Sequence, residues 1–179
     1  MILEKTFIKD LILLKPQVYE DQRGYFMESF NQKKIEILIK DRFVQDNESL
    51  SIKNVLRGLH FQIPPYAQSK LIRVVKGSIL DVAVDLRKDS ETYGQHFKHV
   101  LSGENKKQLY IPEGFAHGFL CLEENTIINY KCSEYYYANN EEAILWNDPE
   151  LNIDWGIKDP ILAEKDRLAK NLATFDNPF

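Results

Sequence analysis

The chain has 179 residues, 44% of them apolar, with a formal net charge of −4. That length suffices for one domain with a sizeable core, so a single domain over 1–179 is expected. The acidic balance and scattered lysines and arginines exclude the basic face of a nucleic-acid binder, and no run nears the roughly 18 consecutive apolar residues of a membrane helix. A small anionic ligand held by a few convergent cations stays open.

The first residues, MILEKTFIKDLILLKP, carry short apolar runs broken by Glu4, Lys5, Lys9 and Asp10. That is no signal-peptide core. Residues 31–43, NQKKIEILIKDRF, place Ile35, Leu38, Ile39 and Arg42 on one side of a short surface helix. Short strand-like segments follow: KLIRVV (70–75), SILDVAVDL (78–86), QLYIP (108–112), GFLCL (118–122) and TIINYKC (126–132). The period of two is clearest in 78–86. Leu80, Val82, Val84 and Leu86 point one way; Asp81, Ala83 and Asp85 point the other. Gly77, Gly94, Gly103 and Pro112 to Gly114 punctuate these segments. Such spacing predicts an all-β sandwich or barrel. Asp159 as N-cap and Pro160 at the first helical position start a helix, or two short turns, over 161–172. Cys121 and Cys132 lie inside strand-like segments and read as buried free thiols in a reducing compartment, the cytoplasm.

Two stretches stand apart. LRGLHFQIPP (56–65) packs an Arg, a Gly, a His and a Gln between apolar runs, and IPEGFAHGF (111–119) holds another lone His. The second stretch, Pro112-x-Gly114-x-x-His117, resembles the second motif of the cupin barrels, in many of which that His ligates a metal. Their first motif supplies H-x-H and then a Glu. Here His60-Phe61-Gln62 stands at the H-x-H, and Lys70 falls where the Glu would be. An ammonium and an amide suit a divalent ion poorly, so no metal is expected. Read alone, Lys70 is a solvated strand residue, and His117 is as readily a hydrogen-bonded core histidine as a functional one.

Taken together, DQRGYFME (21–28), Gln45-Asp46-Asn47, LRGLHFQIPPYAQSKL (56–71), the P-x-G-x-x-H, NYKCSEYY (129–136), LWNDP (145–149) and AEKD (163–166) resemble the dTDP-4-dehydrorhamnose 3,5-epimerases. The resemblance runs from about Lys5 to Asp166, and the string around LRGLHFQ is its most specific part. It implies a cupin-type jelly-roll β-barrel with short flanking helices. It also implies inversion of the carbons beside the ketone of a dTDP-linked 4-keto-6-deoxy sugar, with no cofactor.

Inversion beside a ketone needs a base, an oxyanion stabiliser, an acid on the opposite face and a clamp on the diphosphate. Imidazole is the side chain that titrates near neutrality, which suits His60 as base. The resemblance implies Asp166 as its orienting carboxylate, Lys70 as holder of the enolate oxygen and Tyr130 as the opposite-face acid; without it, Tyr130 is an ordinary strand tyrosine. It implies phosphate contacts from Arg57 and Lys165, polar contacts from Gln45 and Asn47, a substrate contact from His117 and a deoxyribose contact from Glu141. Tyr136 is implied to stack on the base, with Tyr135 and Tyr137 as adjacent alternatives. Arg23, Phe26 and Glu28 match a segment that in the family reaches the neighbouring subunit's site, so a homodimer with that segment exchanged is expected. His96 and His99 match no motif and read as surface residues. Two rival readings remain: a single-carbon epimerase on a related nucleotide-linked 4-keto sugar, and a non-catalytic cupin sugar-binding module.

Overall fold

A computed structural model describes residues 2–37 and 39–179. The strands are β1 (Ile2–Lys5), β2 (Ile12–Lys15), β3 (Val18–Asp21), β4 (Gly24–Met27), β5 (Gln45–Ser51), β6 (Leu56–Gln62), β7 (Lys70–Lys76), β8 (Ser78–Asp85), β9 (His96–Ser102), β10 (Gln108–Ile111), β11 (Phe115–Cys121), β12 (Thr126–Cys132) and β13 (Glu141–Ala143). Two one-turn helices flank them, α1 (Gln32–Ile35) and α2 (Glu164–Arg167).

Two sheets carry the fold. One has the order β1-β2-β10-β7-β12-β5, the other β13-β6-β11-β8-β9. Strand neighbours within a sheet are rarely neighbours in sequence, and every pairing is antiparallel. This is the expected cupin-type jelly roll, and closing two sheets on one another leaves few edges. Ile72, Val74 and Ile128 from the first sheet meet Ile79, Phe119 and Cys121 from the second in one buried cluster between them. The outer face of the second sheet is covered in turn. Val82, Val84, Leu86 and Leu120 pack beneath Ile153, Trp155 and Phe175 of the C-terminal segment. Each fully buried Leu or Ile there contributes about 1.5–3 kcal/mol.

This second layer explains β8. Its apolar residues Val82 and Val84, with Leu86 just past its end, point outward, under the C-terminal segment. The face bearing Asp81, Ala83 and Asp85 points inward, and all three are fully buried. Asp85 accepts from Arg87, Ser90 and Thr92. A period of two marks two faces and does not say which one meets water.

Three expectations are corrected. The helix over 31–43 is one turn. Asn31 caps it, its Oδ1 accepting from the Lys34 N–H at 3.3 Å. The Gln32 amide then donates to the Asp41 carbonyl at 3.0 Å, and the Tyr110 hydroxyl donates to Asp41 Oδ2 at 2.6 Å. These bonds hold residues 41–43 outside a helix. Ile35 and Ile39 are buried with Leu14, Leu71 and Tyr110, whereas Arg42 is exposed; Leu38 lies outside the described residues. Next, the C-terminal turns begin at Glu164, with a 3₁₀ turn at Leu172–Thr174, and Asp159 and Pro160 cap nothing. Ile161 instead bridges Val55 in parallel. The residue at the true N-cap, Ala163, makes no side-chain bond. Finally, His96 and His99 are half-buried on β9, and burial pulls both imidazole pKa values down. Cys121 and Cys132 are, as expected, buried free thiols.

Candidate active site

A strict alternation along β6 would point Arg57 and His60 to opposite faces, because they are three residues apart. They nevertheless line one cavity. The reason is a bulge. Across the β6–β11 ladder His60 faces His117 while Arg57 faces Phe119, so three steps on β6 match two on β11. Gly58 makes this possible. Its φ is +118°, and a Cβ there would stand 2.5 Å from the Gly118 Cα. Only glycine fits that close approach of two backbones. The phase of β6 is thereby reset, and Leu56, Leu59 and Phe61 all reach the outer apolar layer.

Asp166 belongs to α2 and is 1% exposed. Its Oδ1 lies 2.5 Å from His60 Nε2, and its Oδ2 accepts from the Gly58 N–H at 3.5 Å. Both carboxylate oxygens are thus engaged, and the imidazole is held at the cavity wall. The next strand in sequence, β7, is not beside β6. The turn through Ile63 to Ser69 carries the chain to the facing sheet, so Lys70 reaches the site from the other side. It donates to the His60 carbonyl at 3.4 Å, and burial pushes its ammonium pKa down.

Tyr130 of β12 comes from that same facing sheet, and burial raises its phenol pKa. Two cavities, of about 120 and 220 Å³, share His60, Lys70, Tyr130 and Glu141 in their walls, which makes them two lobes of one site. Gln45, Asn47 and Tyr136 close the first lobe; Arg57, His117 and Lys165 close the second. Arg57 donates through Nε and Nη2 to Ser51 Oγ at 3.1 and 3.0 Å. Lys165 Nζ donates to both oxygens of Glu141 at 3.0 and 3.1 Å, and the Tyr136 hydroxyl donates to Glu141 Oε2 at 3.2 Å. Burial would raise the Glu141 carboxyl pKa, but the Lys165 contacts outweigh it and hold the carboxyl below its ordinary value. Among the three adjacent tyrosines, Tyr136 lines the cavity, Tyr137 stacks on Tyr66 at 3.7 Å, and Tyr135 is exposed.

Arg23, Phe26 and Glu28 are not brought into this site. Arg23 pairs with Asp21 at 2.6 Å, Glu28 with Lys34 at 2.6 Å, and Phe26 is 71% exposed. They belong to or flank the β3–β4 hairpin, which pairs with no other strand among the described residues.

Among the residues of the site that escaped sequence reasoning are Asp81, Cys132 and Gln68. Asp81 lies 2.7 Å from His117 Nε2; alternation alone could not mark it, because only the folded barrel turns its face inward. Cys132, opposite Lys70 in the β12–β7 ladder, lines the first lobe and accepts from Asn47 Nδ2 at 3.6 Å. Gln68 also lines that lobe, and no single-residue pattern marked it.

The cupin positions do not fit a divalent metal. His60 is engaged by Asp166, all three polar positions of Gln62 are bonded to backbone, and an ammonium stands at Lys70. Among the described residues, no group of three or more His, Cys, Asp or Glu is arranged to hold a metal, and no helix is long and apolar enough to cross a membrane.

This arrangement puts a His–Asp pair, an ammonium and a phenol around one small polar cavity, with two further cations at its rim. Comparison with known proteins agrees with such a site. A family model described as dTDP-4-dehydrorhamnose 3,5-epimerase matches residues 5–174. The dTDP-4-dehydrorhamnose 3,5-epimerase of Methanothermobacter thermautotrophicus is 51% identical over 178 residues, covering 97% of this chain and 95% of the relative. The crystal structure of dTDP-6-deoxy-D-glucose-3,5-epimerase from Legionella pneumophila, in complex with dTDP-4-keto-L-rhamnose, superposes with a TM-score of 0.94 at 47% identity, covering 98% of this chain and 94% of that one. A 3'-monoepimerase from Streptomyces bikiniensis, in complex with dTDP-quinovose, superposes at 0.89 with 31% identity, covering 94% and 87%. A family match across nearly the whole chain, with a relative half identical over the same length, establishes that the chain belongs to the dTDP-4-dehydrorhamnose 3,5-epimerase family and is an isomerase.

Proposed function

We propose that this protein inverts both carbons flanking the ketone of dTDP-4-dehydro-6-deoxy-D-glucose, giving dTDP-4-dehydro-L-rhamnose. The observation that carries the reading is that His60 and Tyr130 enter one cavity from opposing sheets. A sugar ring lying between the sheets then meets a base on one face and an acid on the other. His60, oriented by Asp166, takes the α-proton. The C–H electrons move into the enolate, and the Lys70 ammonium holds the oxygen that gains charge. Tyr130 returns a proton to the opposite face. Arg57 and Lys165 clamp the diphosphate; Gln45 and Asn47 contact the nucleotide side; Tyr136 stacks on the base; Glu141 meets the deoxyribose; His117 contacts the sugar from beneath. The cycle needs no cofactor, and chelation is expected to leave the rate unchanged.

The family match over residues 5–174 supports reading 1–179 as one epimerase domain. The two buried free thiols support a reducing, cytoplasmic setting. A homodimer that exchanges Arg23, Phe26 and Glu28 into the neighbouring site is supported by the solitary hairpin β3–β4. Its Tyr19, Tyr25 and Phe26 are exposed, and among the described residues β5 is an edge strand of its sheet. A monomer by light scattering that is fully active at nanomolar concentration would sink the dimer.

The 3'-monoepimerase relative keeps a single-carbon reading in play. The deciding experiment incubates the protein with dTDP-4-keto-6-deoxyglucose in deuterated water and reads carbons 3 and 5 by NMR. Deuterium at both, with inversion, is the expected result. Deuterium at one carbon would make the protein a monoepimerase, and none would make it a binding module.

A further inference from the structure

We propose that Gln62 is a positioning residue that sets the base-stacking wall of the site by hanging the tyrosine loop from the strand that carries His60. The inference rests on the reading of Tyr136 as the residue that stacks on the nucleotide base. Gln62 is the last residue of β6, two after His60, and is 3% exposed.

The loop after β12 belongs to no strand, so its backbone groups need other partners. Three consecutive N–H groups find them in side-chain oxygens. Tyr135 N–H donates to Glu134 Oε1 at 2.7 Å, Tyr136 N–H to Gln45 Oε1 at 3.1 Å, and Tyr137 N–H to Gln62 Oε1 at 2.7 Å. Of these three acceptor residues Gln62 alone is buried, and its amide oxygen and both its N–H positions are used. Its Nε2 donates to the Tyr66 carbonyl at 2.7 Å and to the Tyr135 carbonyl at 3.1 Å. One N–H and two carbonyls as partners fix the amide orientation. Residues on both sides of Tyr136 are thus tied to one side chain. The same amide holds Tyr66, whose ring stacks on Tyr137. Tyr136 itself is left with its ring free along the cavity, its hydroxyl donating to Glu141.

The chemistry explains why an amide stands there. An imidazole has two nitrogens and meets at most two of the three partners. A carboxylate keeps the acceptor for Tyr137 but turns oxygen lone pairs toward two carbonyls. Only an amide at the end of a two-carbon stem satisfies the set. The position that could hold a second imidazole has become the anchor of the nucleotide wall.

The test uses the full chain, with dTDP and inorganic pyrophosphate as probes in calorimetric titration, beside steady-state kinetics. Gln62→Glu is the primary variant; Gln62→Met, apolar and of similar length, replaces it if the charged variant does not fold. We expect the Kd for dTDP to rise about tenfold, the loss of roughly one net hydrogen bond's worth of ordering. Pyrophosphate, which has no base to stack, should bind within twofold of the parent. KM should rise in step with the dTDP Kd while kcat falls less than threefold. On a Tyr136→Ala background the Gln62 change should add nothing further, since both act through one ring. A folded Gln62 variant with unchanged dTDP affinity overturns the inference. So does equal weakening of dTDP and pyrophosphate, which marks a general loss of structure. If Tyr136→Ala alone leaves dTDP binding intact, the stacking reading itself fails, an outcome distinct from both.

Discussion

Two His–Asp pairs stand side by side in this barrel, and they differ in instructive ways. His60 and His117 face each other directly across the β6–β11 ladder. His60 is paired at 2.5 Å with Asp166, which arrives from a helix about a hundred residues on; His117 is paired at 2.7 Å with Asp81 from the adjoining strand β8. The His60 side chain is 21% exposed and lines both lobes of the cavity, while that of His117 is 8% exposed and lines one. Asp166 uses both oxygens. Asp81 leaves Oδ2 buried without a hydrogen-bond partner among the described residues. The same functional groups at similar separations thus sit in different surroundings. In the proposed mechanism the open, fully satisfied pair exchanges protons with the substrate, and the sealed pair holds a wall.

The largest effect that could break this comparison is at His60. His60→Ala is expected to lower both inversion and solvent deuterium uptake by about 10²–10⁴-fold, the usual worth of a positioned general base. His117→Ala should retain deuterium uptake. Uptake surviving in the first and lost in the second would reverse the two roles. Next comes Lys70, which approaches the His60 pair from the facing sheet. Lys70→Met is expected to lower kcat by about 10²–10³-fold, as for removal of one oxyanion donor. Burial depresses the Lys70 pKa, so the unfolded chain holds that proton more tightly than the folded one. Stability of the parent thus rises as pH climbs from the folded to the unfolded pKa, and activity falls over the same window as the ammonium is lost. Lys70→Met, which buries no charge, should melt higher than the parent at neutral pH while being nearly inactive. A lower melting temperature, or an alkaline activity limb at the ordinary lysine range, would contradict this account.

How much of this was legible beforehand divides along physical lines. The short strands between Lys70 and Cys132 were plain, because alternation and glycine punctuation are local signals. The residues of the site were named through the family resemblance, and the cavity brings together His60, Lys70, Tyr130 and Asp166. Three things were not local. The bulge at Gly58 aligns Arg57 with His60, and its cause is a second glycine, Gly118, some sixty residues away. The burial of Asp81 depends on the C-terminal segment roofing the other face of β8. The end of α1 depends on Asp41, which is claimed by Gln32 and by the Tyr110 hydroxyl. Periodicity reports faces, and only tertiary contacts decide what each face meets.

The bulge supplies the third prediction. Arg57 and His60 share a face because β6 is reset, and the phosphate contact and the base proposed for them are separable by mutation although they ride one strand. Arg57→Ala is expected to weaken dTDP binding by about 10- to 150-fold, the worth of a charged hydrogen bond of roughly 1.5–3 kcal/mol. Deuterium uptake at saturating substrate should fall far less. An unchanged dTDP Kd by titration would remove Arg57 from the clamp and leave it as a partner of Ser51 alone.

The smallest effect is the one that tests the comparison most directly, because it concerns stability and not rate. Removing the His60 imidazole leaves Asp166 at a site open to the cavity and still bonded to the Gly58 N–H. Removing the His117 imidazole leaves Asp81 with neither oxygen engaged among the described residues, in a site where the carboxylate is fully buried. A buried polar group stripped of its partner costs about 1–3 kcal/mol, and more if it stays charged. His117→Ala should therefore unfold earlier than the parent by that amount, while His60→Ala shifts by less than about 1 kcal/mol. His117→Gln, which keeps a donor within reach of Asp81, should recover part of the loss. Together with the kinetic contrast this forms a crossed pattern: the open pair governs rate, the sealed pair governs stability. Urea unfolding of the three variants, followed by tryptophan fluorescence from Trp146 and Trp155, reads it out. If His60→Ala is the less stable protein, the burial difference between the pairs does not govern their roles, and the sealed pair must be sought as part of the proton path after all.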